Sequence, residues 1–333
     1  MQKLRSTKIK NVLPTAVSKE IKNMRYKREG YSRYKWLIEL RNGKRLLLKV
    51  SEKRDKRYSL KKEAYVCNLL RKHRIPTPRV IKYGNFLLNG EKYEYLLVTL
   101  LEGFILKKIF FALPRKEQCR VLCNVSALLG RMHSIKFKKY GDIDEDGGIV
   151  SGEQVSFKTI KQKYKRFGIS WEWLVFSKAY KYLGVLMACK VIDKRFVIRI
   201  IDFLNKYKKI FETPGPPRFV HNDFKFDHVL IKKNKKREIA GIIDFELAAS
   251  YPKEYDFIRL HKEGIFDDKH LKECLLRGYK KYQRISKDFE LRVLIYRLIQ
   301  ELGHAKNAIK SEGMNSAKRI CIDMIRIMNK YGL

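Results

Sequence analysis

The sequence predicts an α+β protein in two lobes: a small antiparallel sheet with one helix across residues 1–101, then a larger, mainly helical lobe across 102–333 that holds one hairpin. Three observations carry this. Asn42-Gly43 and Asn89-Gly90 each interrupt apolar, strand-like runs in the first hundred residues, and such dipeptides supply the positive φ angles of two-residue turns. From Glu117 onward apolar residues return every three or four positions, the period of a helix with one buried face. Between residues 219 and 246 that period gives way to two short β-rich runs, each beside a turn that carries an acid. A length of 333 residues is enough for two such lobes around a large core.

Apolar residues make up 45% of the chain and aromatics 12%, a composition that argues for a folded globule and against disorder. The richest apolar stretch, Leu96 to Ile109, is interrupted by Glu102, Gly103, Lys107 and Lys108, so no transmembrane helix is expected. The opening Met1-Gln-Lys-Leu-Arg-Ser-Thr-Lys8 has no apolar run, so no secretory leader is expected and the chain is placed in the cytoplasm. Cys67, Cys119, Cys123, Cys189, Cys274 and Cys321 show no Cys-x-x-Cys spacing. They are expected as small buried apolar residues of a reducing compartment, not as a disulfide frame or a zinc site. The formal charge of +40 admits nucleic acid or an anionic membrane surface as a partner. The basic residues are interspersed along nearly the whole chain, without a nucleic-acid-binding motif, which favours solvated faces instead. Such a charge repels a polycationic ligand at long range unless local acids offset it.

The densest chemistry lies in Phe219-Val-His-Asn-Asp-Phe-Lys-Phe-Asp-His-Val-Leu-Ile231 and in Ala240-Gly-Ile-Ile-Asp-Phe-Glu246. A hairpin through Lys232 to Arg237 brings Asp223, His228 and Asp244 to the same end of two neighbouring strands. Two carboxylates and an imidazole there suit a divalent cation on a phosphate chain, with one group left to handle a hydroxyl proton. Singly, His221 reads equally as a core histidine, Asp223 as a turn residue and Asp244 as a strand-end cap. Their joint order, with Glu254-Tyr255-Asp256-Phe257-Ile258 downstream, favours one shared site.

This ordered set resembles the aminoglycoside phosphotransferases, small-molecule kinases with a protein-kinase-like fold, and is most similar in wording to their 2″-phosphotransferase branch. The resemblance implies ATP or GTP and Mg²⁺ as cofactors and a small-molecule hydroxyl as acceptor. It makes Asp223 the residue that orients or deprotonates that hydroxyl, with His221 bracing the turn. Asp244 would hold the metal. His228 stands where most of the superfamily has Asn, and a neutral imidazole can ligand a metal or donate to a phosphate. Glu246 and Asp256 are expected to brace the loop or meet an acceptor amine. An aminoglycoside is the acceptor that the wording suggests. A sugar or lipopolysaccharide-core saccharide, or a non-catalytic pseudokinase binding nucleic acid or anionic membrane, are the alternatives raised by the charge.

Taken in order, the chain opens with a basic lead-in and one helix expected from Pro14 to Asn23. Tyr26 to Leu40 reads as strand, turn, strand, and Arg45 to Val50 pairs with it through Asn42-Gly43. The turn at Gly30 and Ser32 matches the family's phosphate-covering loop, where glycine permits close backbone approach. Lys49 lies in the apolar strand Leu46-Leu-Leu-Lys-Val50, and a half-buried ammonium there needs an anion. Glu63 is the candidate, on a helix from about Arg57 to His73 whose apolar stripe is Leu60, Ala64, Cys67 and Leu70. The resemblance has Lys49 touch the α- and β-phosphates. Ile75-Pro-Thr-Pro78 ends that helix, and a hairpin then leads to a hinge where backbone groups from Thr99 to Leu101 would read the base. Glu117 to His133 is an amphipathic helix, and His133 is expected to be a packed histidine. Asp142 to Glu153 fits a calcium-loop pattern, but its surroundings read as strand and favour a solvated acidic loop. Residues 154–211 are expected to be helical, with Trp171 and Trp173 offering aromatic surface. Three more helices follow, over Leu271–Tyr282, Asp288–Ile309 and Ser316–Tyr331.

Overall fold

The computed structural model describes residues 9, 12–27, 33–52, 58–150, 170–234 and 237–332. Five strands form the first sheet: β1 (Ile21–Lys27), β2 (Tyr34–Leu40), β3 (Arg45–Glu52), β4 (Val80–Leu88) and β5 (Glu91–Thr99). Their order is β1-β2-β3-β5-β4, and every neighbouring pair is antiparallel. Trp36, Ile38, Leu48 and Val50 alternate onto one face and are wholly buried there. The two-residue period therefore sends Lys35 and Lys49, which are cross-strand partners, to the opposite face. Asn89 and Gly90 both hold positive φ (52° and 80°), as the turn between β4 and β5 demands. The helix expected from Pro14 to Asn23 is only a single turn, Thr15–Ser18, because Ile21 already pairs with Leu40 in the sheet.

Helix α1 (Leu60–Lys72) crosses this sheet. Ser59 caps it by accepting from the Lys62 amide at 3.1 Å, and the buried Glu94 carboxylate accepts from the Leu60 amide at 2.8 Å. Leu60 and Ala64 pack on Leu96 and Val98, whereas Val66, Cys67 and Leu70 join the main core of the second lobe. One helix thus belongs to both lobes.

The second lobe is built on α2 (Arg115–Met132), α3 (Trp171–Ala188), α4 (Lys194–Lys206), α5 (Ile258–Lys262), α6 (Lys269–Lys280), α7 (Phe289–Ser311) and α8 (Met314–Lys330). Two small sheets cross it. One runs in the order β11 (Ile239–Ile242), β10 (Val229–Ile231), β6 (Phe104–Ile105). The other runs β8 (Ile149–Val150), β7 (Gly141–Ile143), β12 (Ala249–Tyr251), β9 (Arg218–Val220). No helix among the described residues is long and apolar enough to cross a membrane.

Three expectations are revised. Trp171 is core rather than aromatic surface: its indole nitrogen donates to the Tyr296 hydroxyl at 3.0 Å inside the helical cluster. The acidic stretch from Asp142 is the hairpin of β7 and β8, where Asp144 accepts from the amides of Asp146 and Gly148 and Lys61 pairs with Asp146 at 2.6 Å. Strands flank it, and Glu153, the twelfth position of the calcium-loop pattern, lies outside the described residues. Cys119 and Cys274 form a disulfide, with Cα atoms 5.3 Å apart. They are 155 positions apart in sequence, so only the packing of α2 against α6 brings them together.

That packing is close. A Cβ on Gly278 of α6 would lie 2.1 Å from the Cys123 carbonyl oxygen of α2, whereas one on Gly184 of α3 would meet nothing within 4 Å. Gly278→Ala should therefore cost about 1–3 kcal/mol through overpacking. Gly184→Ala should stabilise by about 0.5–1 kcal/mol through helix propensity. Parallel thermal melts of the two variants check the opposite signs.

Candidate active site

The first half of the site is a buried ion-pair chain on β3, α1 and the start of β2. Lys49 Nζ lies 2.5 Å from Glu63 Oε1, and both residues are almost fully buried. Arg33, just before β2, donates to Glu63 Oε2 at 2.6 Å and reaches Glu246 Oε2 at 3.2 Å, tying the first lobe to the second. Burial alone would neutralise both partners of the Lys49–Glu63 pair. The Glu63 carboxylate, then Asp244, more than offset this and raise Lys49; Lys49 and Arg33 in turn hold Glu63 down. Lys35 stands beside Lys49, and burial followed by that neighbouring ammonium lowers its pKa. Two lysines opposite each other on one face repel, an arrangement suited to an anionic ligand between or above them.

The second half is the hairpin of β10 and β11. Ile243 donates its amide to the His228 carbonyl at 3.0 Å, so the residue before β10 and the strand end that delivers Asp244 are locked side by side. Asp244 adopts φ 72°, a left-handed conformation that Asp tolerates better than most residues and that recurs at functional turns. His228 Nδ1 is 2.9 Å from the Asp223 carbonyl oxygen and therefore carries the proton it donates there. Its Nε2 lone pair is left facing Asp244 Oδ2 at 3.4 Å. Burial, then the stacked His221 ring, push the His228 imidazole down to about 4, so it is neutral. A lone pair aimed at a carboxylate oxygen across 3.4 Å is repulsive when the gap is empty and favourable when a cation bridges it, so these residues fit a divalent metal.

Asp223 ends a turn held from behind by Asp256. The Asp256 carboxylate accepts from the amides of His221 (2.8 Å) and Asn222 (2.6 Å) and meets His133 Nε2 at 3.0 Å. His221 Nε2 donates to the Ile243 carbonyl at 3.0 Å, bracing the turn against β11, and His133 is the packed histidine expected of it, with Nδ1 2.7 Å from the Tyr279 hydroxyl. The Asp223 carboxylate meets Arg259 Nε at 2.8 Å and Lys225 Nζ at 3.0 Å. Burial raises its pKa, but Arg259 and then Lys225 pull harder, and the net is lowered.

Of the residues singled out in sequence, His221, Asp223, His228, Asp244, Lys49 and Glu63 converge on this cleft. Gly30 and Ser32 lie outside the described residues. Thr99 is engaged within the sheet, its hydroxyl and amide both bonded to Arg79, and the Leu100 amide donates to Arg45. The Leu101 amide donates to no backbone carbonyl among the described residues. Sequence reasoning missed Arg33, Lys35 and Arg259. Arg259 directly follows the Glu254–Ile258 stretch that was noticed, but Arg33 and Lys35 carry no local signal: strand register sets Lys35 opposite Lys49, and only the fold brings Arg33, just before β2, to Glu63.

Arg259 is carried on α5, whose buried His261 accepts from Arg297 at 2.7 Å. Burial, then Arg297, hold His261 down at about 4. The unfolded chain takes up this proton near pH 6.5 and the folded chain only near 4, so protonation favours unfolding and stability falls as pH drops through that window. His261 accounts for up to about 3 kcal/mol of that fall. His261→Asn, which keeps an acceptor for Arg297, should flatten the decline of melting temperature between pH 6.5 and 4.5 relative to the unmodified chain.

A family model described as "Phosphotransferase enzyme family" (APH) matches residues 25–287. No curated protein matches the chain. A solved complex of a thermostable mutant of aminoglycoside phosphotransferase APH(4)-Ia with AMP-PNP and hygromycin B superimposes with TM-score 0.63 and 17% identity over 92% of this chain and 94% of that one. The gentamicin complex of APH(2″)-IIa gives 0.62 and 16% over 98% and 97%. A provisionally assigned fructosamine-3-kinase from Thermobifida fusca YX-ER1 gives 0.61 and 14% over 94% and 99%. At such identities the neighbours share the fold, and it is the family match, spanning most of both lobes, that makes the chain a member of the APH phosphotransferase enzyme family.

Proposed function

We propose that the chain transfers the γ-phosphate of ATP or GTP to a ring hydroxyl of a small molecule, with residues 1–101 covering the nucleotide and 102–333 supplying the catalytic turn and the acceptor site. The observation that carries this reading is the ion-pair chain from the Glu63-clamped Lys49 through Arg33 to Glu246, two residues beyond Asp244, with Asp244 itself 3.4 Å from His228 Nε2 beside the braced turn of Asp223. Lys49 presents a fixed ammonium to the α- and β-phosphates, and Lys35 adds a second charge on the same face. Gly30 and Ser32 would cover the phosphates, and the Leu101 amide would meet the base. Asp244, with His228 Nε2 as a weaker nitrogen donor, would hold Mg²⁺, which when bound neutralises charge on the β- and γ-phosphates.

Asp223 then orients the acceptor hydroxyl. Its salt bridges keep it ionised but also make it a feeble base, so it takes the proton late, as the new P–O bond acidifies the hydroxyl. Glu246 is bonded to Arg33 and so serves the cleft as a brace. Resemblance puts an aminoglycoside first among acceptors and a simple sugar second, and what the two share is the ring hydroxyl.

Diphosphate release is the direct test, run with Mg²⁺ over aminoglycosides, macrolides, simple sugars and amino alcohols. Asp223→Asn and Asp244→Asn should each lower kcat by about three orders of magnitude, Asp223→Asn without loss of nucleotide binding, and a chelator should abolish turnover in the unmodified chain. Equal background turnover in the unmodified chain and both variants, across every acceptor class, would refute the reading.

A further inference from the structure

Two packed helices of the second lobe gather sulfur and imidazole ligands on one side of the molecule. Cys119 and Cys123 are four positions apart on α2, and His270 and Cys274 are four positions apart on α6. Residues at that spacing share one helix face, as do the paired histidines of helical zinc sites. Cys-x-x-Cys spacing, which these cysteines lack, is therefore not required of them. The packing of α2 against α6 turns the two pairs toward each other, and the Cys123 thiol donates to the Cys274 carbonyl at 2.9 Å. Cys119 Sγ, Cys274 Sγ and a ring nitrogen of His270 all lie within 4.8 Å of one another, with His270 Nε2 3.8 Å from Cys274 Sγ.

The surroundings favour thiolates and admit an ion. The Arg277 guanidinium lies 2.8 Å from Cys119 Sγ, 3.5 Å from Cys123 Sγ and 3.6 Å from Cys274 Sγ. A guanidinium beside sulfur favours the charged thiolate, the form that binds metal. Cys119 and Cys274 are buried, whereas His270 and Arg277 are exposed, so the sulfurs sit just under the surface. Zinc bonds of about 2.3 Å to sulfur and about 2.0 Å to nitrogen set tetrahedral ligand atoms about 3.5–3.8 Å apart. The His270–Cys274 separation already meets this, and the two sulfurs need only part from their bond. His133, which follows α2, meets Tyr279 of α6 behind Asp256, so the same helix pair supports the catalytic turn.

We propose that Cys119, Cys274 and His270 bind Zn²⁺ when the disulfide is reduced, with water in the fourth position. The helix pair is then fastened by metal or by sulfur according to redox state. A dithiol gives two electrons and two protons to the disulfide, becomes a cyclic disulfide itself, and leaves Cys119 and Cys274 as thiols. Zn²⁺ displaces both thiol protons to solvent, and His270 lends the lone pair of a neutral ring nitrogen. In the reverse direction hydrogen peroxide takes two electrons from the two thiolates. The S–S bond forms, zinc leaves, and the peroxide with two protons becomes two waters.

The test titrates Co²⁺, then Zn²⁺, into the full chain, reduced with a phosphine and freed of it without air, beside the oxidised chain. The reduced chain should show a sulfur-to-cobalt charge-transfer band and the visible bands of tetrahedral cobalt, both lost when Zn²⁺ is added. The oxidised chain should show neither. Asp244 and His228 bring no sulfur, so metal bound there lacks the charge-transfer band. His270→Ala, which leaves the disulfide untouched, should weaken cobalt binding at least about tenfold, since losing a ligand costs no less than losing an outer partner. Cys274→Ser should remove the band, and melting curves check that it folds; His270→Ala decides the matter if it does not. Absence of the band from the reduced chain would overturn the proposal. So would a band equally strong in the oxidised chain, or one of unchanged affinity in His270→Ala, the result of binding at Cys67, Cys189 or Cys321 instead.

Discussion

An ammonium and a carboxylate 2.5 Å apart, both almost without water, hold this protein's cleft in shape. Neither group could stay charged there alone, since desolvation of an isolated ion exceeds what the rest of the fold can offset. Removing one partner of such a pair leaves the other stranded, at a cost of about 3–5 kcal/mol. The pair therefore fixes α1 against β3, and Arg33 extends it through Glu63 to Glu246, two residues beyond Asp244. Because Val66, Cys67 and Leu70 of α1 are packed into the second lobe, the position of one helix sets the width of the cleft.

On the other wall Asp256 plays the matching part. It gathers two consecutive backbone amides and a buried histidine, so the turn before Asp223 is shaped by a side chain more than thirty residues downstream. The Asp223 carboxylate is aimed by Arg259, three residues beyond Asp256, so one short segment both shapes the turn and orients its acid. The strained backbone at Asn222, at positive φ, persists because these hydrogen bonds over-determine it, and that at Asp244 is held by the bonds of Ile243 to His228 and His221.

Much of this was legible in the chain, for identifiable reasons. Lys49 declared itself because a lysine amid Leu46-Leu-Leu and Val50 contradicts a strand with a buried face. Asp223, His228 and Asp244 declared themselves because β-rich runs with acids at their ends are rare in a helical region. Arg33 and Lys35 stayed hidden, since nothing local distinguishes a basic residue at a strand start from any of the 75 lysines and arginines. Trp171 was misplaced because helical periodicity says which residues share a face but not what covers it. The disulfide was missed because Cys119 and Cys274 are joined only by the packing of two helices distant in sequence. The net charge of +40 can be counted from the sequence, but which lysines line a cavity beside Asn222 is a property of the fold alone.

All of this supports one spatial claim: Lys49 and Asp244 embrace the same metal-nucleotide, with Asp223 at its far end. Crystals grown with AMP-PNP and Mn²⁺ test it most directly, through the anomalous signal of the manganese. The account predicts manganese against the Asp244 carboxylate, within reach of His228 Nε2, with the phosphate chain running back to Lys49. Manganese and nucleotide bound together away from Asp244, or a triphosphate lying beyond the reach of Lys49, would contradict it.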